Sequence, residues 1–265
     1  MSVTPFLRGL DDVRRTFGKA PVIVYLAISD TKARYIRSLI GPFWPVLGNA
    51  IGILGLGAVW TALLGLSASQ YIPSLAVGLV IWQLISGCIS DSPGLIGRKA
   101  MIIRNIEFPL TFFPLSTVAG HLVNFTHSLL IVIAVFLIYP QPTTPTLILI
   151  SVAGLILTLV NLLWFATILA IVGARYRDVE PAIISSLPLL FLLSPVLFRA
   201  EQLPFGASII WFNPVTYAIT AIREPLLGML PNPSIYAGLA VTALMGWTLM
   251  LAVVGKWSKR VPFWI

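Results

Sequence analysis

Apolar residues in this chain come in long uncharged blocks separated by short polar ones. A helix needs about 20 apolar residues to cross roughly 30 Å of hydrocarbon. Five blocks reach or nearly reach that length: 43–65, 72–90, 108–139, 146–174 and 235–255. A sixth, 181–198, is slightly short but dense in Leu, Ile and Phe. The pattern predicts an all-α integral membrane protein with six transmembrane helices. Block 108–139 exceeds one perpendicular crossing, which predicts tilt or a helix protruding into water.

Two segments break this pattern. Residues 20–39 begin apolar, with Ile23, Leu26 and Ala27, and turn polar through Asp30, Lys32, Arg34 and Arg37. That gradient predicts an amphipathic helix in the cytoplasmic interface, serving as an anchor or as a contact surface for a cytoplasmic partner. Residues 203–222 are moderately apolar but carry Pro204, Asn213 and Pro214. Proline interrupts a helical ladder, so this segment predicts two half-helices, about 206–212 and 215–227, that enter the outer leaflet and return. Irregular backbone at that depth must be enclosed by protein or face a wet cavity, which points to a pathway. An amphipathic loop resting on the outer surface is the plainer alternative. The chain divides into a cytoplasmic N-terminus with its interfacial helix (1–40), a transmembrane domain (41–255, with the re-entrant hairpin at about 203–227) and a cytoplasmic tail (256–265).

Charge orients the spans, because basic residues are retained on the cytoplasmic side. Seven Lys and Arg precede the first span, three lie between spans two and three, two between spans four and five, and three follow the last. Fifteen of the seventeen therefore share one side, the exceptions being Arg199 and Arg223, and both termini are expected in the cytoplasm. With 58% hydrophobic and only 10% charged residues, the chain has too little charge to cover a soluble domain of 265 residues. The net charge of +8 sits in clusters between apolar blocks, which suits anionic lipid headgroups and not nucleic acid. Residues 1–20 mix charges with no apolar core, so no cleavable signal peptide is expected there.

Candidate chemistry is sparse. There is no GxxxxGK[ST] phosphate loop, since Gly18-Lys19 lacks the earlier glycine, and no HExxH, CxxC or GxSxG motif. The single cysteine, Cys88, can form neither an intrachain disulfide nor a metal cluster of its own kind. His121 and His127 lie six residues apart, on different helix faces, and read as packing residues. None of the nine acidic residues falls inside a span, which disfavours an ion-coupled carrier. No enzyme activity, metal or cofactor is expected of this chain, and the energy for any transport must come from elsewhere. Asn49, Gln83, Asn124 and Asn161 are predicted to form interhelical hydrogen bonds. Gly48-xxx-Gly52 would allow close helix approach or subunit pairing. Aromatic residues cluster near span ends, with Trp44 inside and Trp60, Tyr71, Trp211, Phe212 and Tyr217 outside. Headgroup belts account for such rings; aromatic faces also stack on sugars, which makes these six the channel and substrate candidates.

Several segments together resemble a known family. Ala33 to Trp44 (ARYIRSLIGPFW) is similar to the entrance signature of bacterial polysaccharide-exporting ABC permeases, in which "RY" is followed by "LG-x-x-W"; here Ile40 replaces the leucine. Glu107-Phe108-Pro109 after Arg104 resembles the family's "K-x-x-F-P", and Arg177-Asp178-Val179 its "RD-[IV]". Ser194-Pro195, Asn213-Pro214 and the tail Arg260 to Trp264 resemble further motifs in order. The resemblance implies the type-2 exporter fold and a homodimer in the bacterial cytoplasmic (inner) membrane. It also implies two separate cytoplasmic ABC ATPase subunits, which bind ATP and Mg, and outward movement of a lipid-linked O-antigen, capsule or teichoic-acid glycan. The same architecture carrying a drug or a small lipid-linked oligosaccharide is the alternative. Residues matching the entrance and loop motifs, together with the apolar run in the basic first cytoplasmic loop, are the ATPase-coupling candidates: Arg34, Tyr35, Arg37, Arg98, Lys99, Met101, Ile102, Arg104, Arg177 and Asp178.

Overall fold

The computed structural model describes residues 5–34, 36–199 and 211–265. In chain order its helices are α1 (Pro5–Phe17), α2 (Ala20–Arg34), α3 (Trp44–Leu64), α4 (Ala68–Asp91), α5 (Leu95–Arg98), α6 (Ala100–Asn105), α7 (Phe112–Ile138), α8 (Pro145–Arg175), α9 (Val179–Leu193), α10 (Pro214–Leu226) and α11 (Pro233–Trp257). No strand occurs among the described residues.

Five of these helices, α3, α4, α7, α8 and α11, are long and apolar enough to cross a membrane, where the sequence pattern predicts six. The remaining predicted span, 181–198, appears as α9, whose 15 residues give a length of about 22 Å. It stops at Leu193 because Pro195 follows, and the residue before a proline is driven out of helical geometry; Ser194 is extended, with ψ 144°. By contrast α7, with 27 residues, is about 40 Å long, which matches the predicted excess over one crossing. Of the outer half-helices, the second is α10, whereas the first falls almost wholly outside the described residues.

Helix α4 sits at the centre, packed on α3, α7, α8, α9 and α10. Lipid tails are as apolar as leucine, so helices in a bilayer associate through close packing and hydrogen bonds, not through apolar burial alone. Both devices are present. Gly154 on α8 lets the Ala221 carbonyl of α10 approach so closely that a Cβ would lie 2.6 Å from it. Asn49 Nδ2 donates to Gln83 Oε1 at 2.7 Å, joining α3 to α4, and Asn161 Nδ2 donates to the Leu239 carbonyl at 3.0 Å, joining α8 to α11. Asn124, expected to do the same, makes no side-chain hydrogen bond among the described residues.

The N-terminal helix α1 is not among the elements that the apolar blocks predict. It lies across the C-terminal end of α11, where Gly9 meets the Leu251 carbonyl and Gly255 meets Pro5. Its Asp12 carboxylate caps α7 from outside that helix, accepting from the backbone N–H of Leu110 (2.8 Å) and Thr111 (3.0 Å) and from the Thr111 hydroxyl (2.7 Å). These donors lie just ahead of Phe112, so the carboxylate fixes the entry to α7 and faces the positive end of its dipole. Helix α2 packs on α7 and ends at Arg34, short of the predicted 39. Arg37 (φ 69°) and Gly41 (φ 63°) then turn the chain into α3.

Candidate functional site

At one end of the bundle, the connection between α4 and α7 and that between α8 and α9 meet in one ledge. Arg98 Nη1 at the end of α5 pairs with Glu180 Oε1 at the start of α9, 2.7 Å away, and the same guanidinium donates to the Asp91 carbonyl. Lys99 Nζ lies 3.4 Å from Asp30 of α2, which ties that helix to the same ledge. Arg104 donates to the carbonyl of Ile265. The tail is held further by Arg175, stacked 5.1 Å from the Trp264 ring centroid, and by an edge contact between Trp264 and Trp257. Between these tethers α6 carries Met101, 80% exposed, and Ile102, 40% exposed, and buries no side chain of its own. Arg37, Arg177 and Asp178 are exposed nearby in sequence terms on the flanking turns. Tyr35 and the Arg34 side chain lie outside the described residues.

At the other end of the bundle, α10 is embedded. Ser151 Oγ of α8 and Tyr236 Oη of α11 donate to its carbonyls at Ile222 and Ala221, both at 2.9 Å. Asn213 opens the helix by accepting from Val215 N, and its Nδ2 donates to Ser194 Oγ at 2.9 Å, so α10 begins beside the end of α9. Its other end lies beside the α7–α8 connection, where Thr143 Oγ1 donates to the Leu226 carbonyl. Arg223, one of the two exceptions in the charge count, is 1% exposed inside this packing. Its Nη1 donates to the Pro195 carbonyl at 2.5 Å. A guanidinium retains its charge and can bridge carbonyls through its fork of donors, so it staples α10 to the segment after α9. The signal for this role is an Arg, followed by Glu224, in a hairpin that carries no other charge.

The six aromatic candidates are not gathered into one site. Trp44, at the inner end of α3, donates to Ser38 Oγ at 3.0 Å. Trp60 and Tyr71 pack with Leu75 and Leu197 at the outer ends of α3 and α4, and Tyr71 Oη donates to the Leu197 carbonyl at 2.8 Å. Trp211 and Tyr217 make an edge contact, centroids 5.4 Å apart, and Tyr217 lies against Gly238 of α11. Phe212 points away, 87% exposed. Among the described residues no group of three or more His, Cys, Asp or Glu comes together in a way that could hold a metal ion.

Comparison with known proteins fits this layout. The profile of the ABC-2 type transporter family matches residues 22–227, from the interfacial helix to the end of α10. An O-antigen export system permease protein RfbA of Klebsiella pneumoniae is 23% identical over 244 residues, covering 90% of this chain and 93% of that one. A protein of the same name from Myxococcus xanthus is 26% identical over 186 residues, 70% and 71% of the two chains. The chain is a multi-pass membrane protein that belongs to the ABC-2 type transporter family.

Proposed function

We propose that this chain is the permease subunit of an ATP-driven exporter that moves a lipid-linked polysaccharide outward across the bacterial cytoplasmic membrane. Two copies form the channel, two separate ATPase subunits bind ATP and Mg, and both termini face the cytoplasm. The observation that carries the reading is the ledge. In a chain without a phosphate loop, exposed Met101 and Ile102 stand on a short helix fastened at both ends, and an apolar pair in such a polar setting suits a partner's groove better than water. The relatives' printed names favour a glycan over a drug. Support for a second copy comes from α3, where Ile51, Leu54 and Leu63 are exposed and Gly48 and Gly55 have no neighbour within 4 Å. On this reading α9 is a short fifth crossing and α10 the return limb of an outer gate, six crossings in all.

The test is reconstitution of the chain with its ATPase in proteoliposomes, with lipid-linked O-polysaccharide as substrate. Glycan should raise ATP hydrolysis in the parent, and Arg98→Glu with Arg104→Glu should abolish that rise while the complex still inserts. Unchanged transport by the double variant would remove the ledge from the coupling path.

A further inference from the structure

Between α4 and α7 runs a seam of polar side chains at membrane depth. On α4, Gln83, Ser86, Ser90 and Asp91 recur at intervals that keep them near one face; on α7, His121, Asn124 and Ser128 do the same. At the cytoplasmic end His121 Nε2 meets Asp91 Oδ2 at 2.9 Å. Deeper in, Ser128 Oγ donates to Gln83 Oε1 at 3.0 Å, the same oxygen that takes the Asn49 bond. Gln83 lies eight residues before the end of α4, so the seam reaches about 12 Å along that helix. Gly87 leaves the room that the His121 ring fills; a Cβ there would lie 2.6 Å from Nδ1.

This seam holds more polar atoms than it uses. Asn124 makes no side-chain hydrogen bond among the described residues, although its Oδ1 is buried. A buried amide without a partner costs several kcal/mol in an apolar medium. Beside it opens a cavity of about 270 Å³ whose polar wall is Gln83, Ser86, Ser90, His121 and Asn124, with apolar side chains such as Leu187 completing the lining. At about 30 Å³ per water, that space accommodates several waters or a comparable polar group.

We propose that this cavity is a hydrated subsite for hydroxyl groups of the transported sugar chain. The inference rests on the export reading above and names where, in the cytoplasmic half of the path, the glycan is recognised. The chemistry selects the ligand class. Asn124 offers both a donor and an acceptor, and the Ser86 and Ser90 oxygens, which donate to backbone carbonyls, retain lone pairs to accept. A hydroxyl also donates and accepts, so it satisfies the set in either orientation, as a sliding polymer requires. An apolar ligand would leave the amide unpaired. A cation would meet one carboxylate, Asp91, already engaged by His121.

Two measurements on the chain reconstituted with its ATPase test this. In a Cys88→Ser background, Asn124→Cys and Ser86→Cys should react with a small charged methanethiosulfonate at least about tenfold faster than Ile133→Cys, whose parent side chain faces outward from α7 at 56% exposure. In the Cys88 parent, Asn124→Leu and Ser86→Ala should raise the lipid-linked O-polysaccharide concentration for half-maximal ATPase stimulation by about fivefold, one hydrogen bond's worth, and Asn124→Gln should recover most of it. Labelling no faster than at Ile133→Cys shows a dry seam and overturns the proposal. Fast labelling with parental half-maximal concentrations in both variants leaves water but no sugar there, and overturns it equally. A parent complex that the glycan does not stimulate sinks the export reading, and the sugar subsite with it, whatever the labelling shows.

Discussion

The trans cap on α7 makes a quantitative prediction. Asp12→Ala removes three hydrogen bonds to a half-buried carboxylate, two of them from the backbone donors of Leu110 and Thr111, just ahead of the 27-residue α7. Water replaces part of what is lost, so the net cost is that of a strong N-cap, about 2 kcal/mol. For a domain of this size that lowers the melting temperature by about 4–8 °C. The chain supplies its own probe, since Cys88 is its one cysteine and lies buried in α4. A thiol-reactive coumarin dye therefore reports unfolding of the bundle centre at a single site. Asp12→Asn keeps one acceptor but loses the charge and should fall about halfway. Asp11→Ala is the internal control: its carboxylate makes an exposed i,i+4 pair with Arg15 at 2.9 Å, worth about 0.3–0.5 kcal/mol, so it should shift the melt by only about 1–2 °C. If Asp12→Ala melts within about 1 °C of the parent, the carboxylate does not cap α7 and the placement of α1 is wrong.

Three further outcomes follow from the packing. Gly9→Val would drive a side chain into the Leu251 backbone, so α1 should detach and become sensitive to limited trypsin digestion at Arg14 and Arg15; equal resistance in variant and parent would refute the contact. Arg223→Leu should cost about 3 kcal/mol in the same Cys88 melt, because it strips the Pro195 carbonyl of a buried charged donor, and Arg223→Lys should recover less than half; a parental melt for Arg223→Leu counts against the staple. In intact cells, cysteines introduced at Ser67 and Thr144 in a Cys88→Ser background should react with an impermeant maleimide from outside, and one at Ser258 should not; external labelling at Ser258 would reverse the orientation.

Lipid as solvent explains what could be read without coordinates. A crossing helix must be continuously apolar and must satisfy its own backbone, so α3, α4, α7, α8 and α11 stand out as blocks, and the charges between them predict an orientation. What escaped was set by partners far apart in the chain. Helix α1 has Phe6, Leu10, Val13 and Phe17 at helical spacing, a signal that was present, but its Asp12 acquires a role only because residues 110 and 111 fold back against it. Tyr71 could be placed in a headgroup belt, yet it bonds the Leu197 carbonyl, 126 residues away. Arg223 falls within the predicted half-helix 215–227, but an apolar segment broken by proline does not reveal on which side of the packing its one cation lies.

The same solvent argument separates the two kinds of functional candidate. An aromatic or aliphatic side chain at the surface of a bundle is content against lipid, against a second copy or against a sugar face, so exposed Phe212, Ile51 and Leu54 discriminate poorly among those neighbours. An amide is not content against lipid. Asn49, Gln83 and Asn161 each find a protein partner, and that suffices to explain them as glue between helices. Asn124 sits one turn from Ser128 and finds none, beside a cavity whose other polar groups are only partly used. Its unpaired amide can persist at that depth only if water or a polar ligand reaches it. The inner seam therefore discriminates among neighbours in a way that the aromatic rings do not, and it is the place where the structure adds to what the motifs already implied.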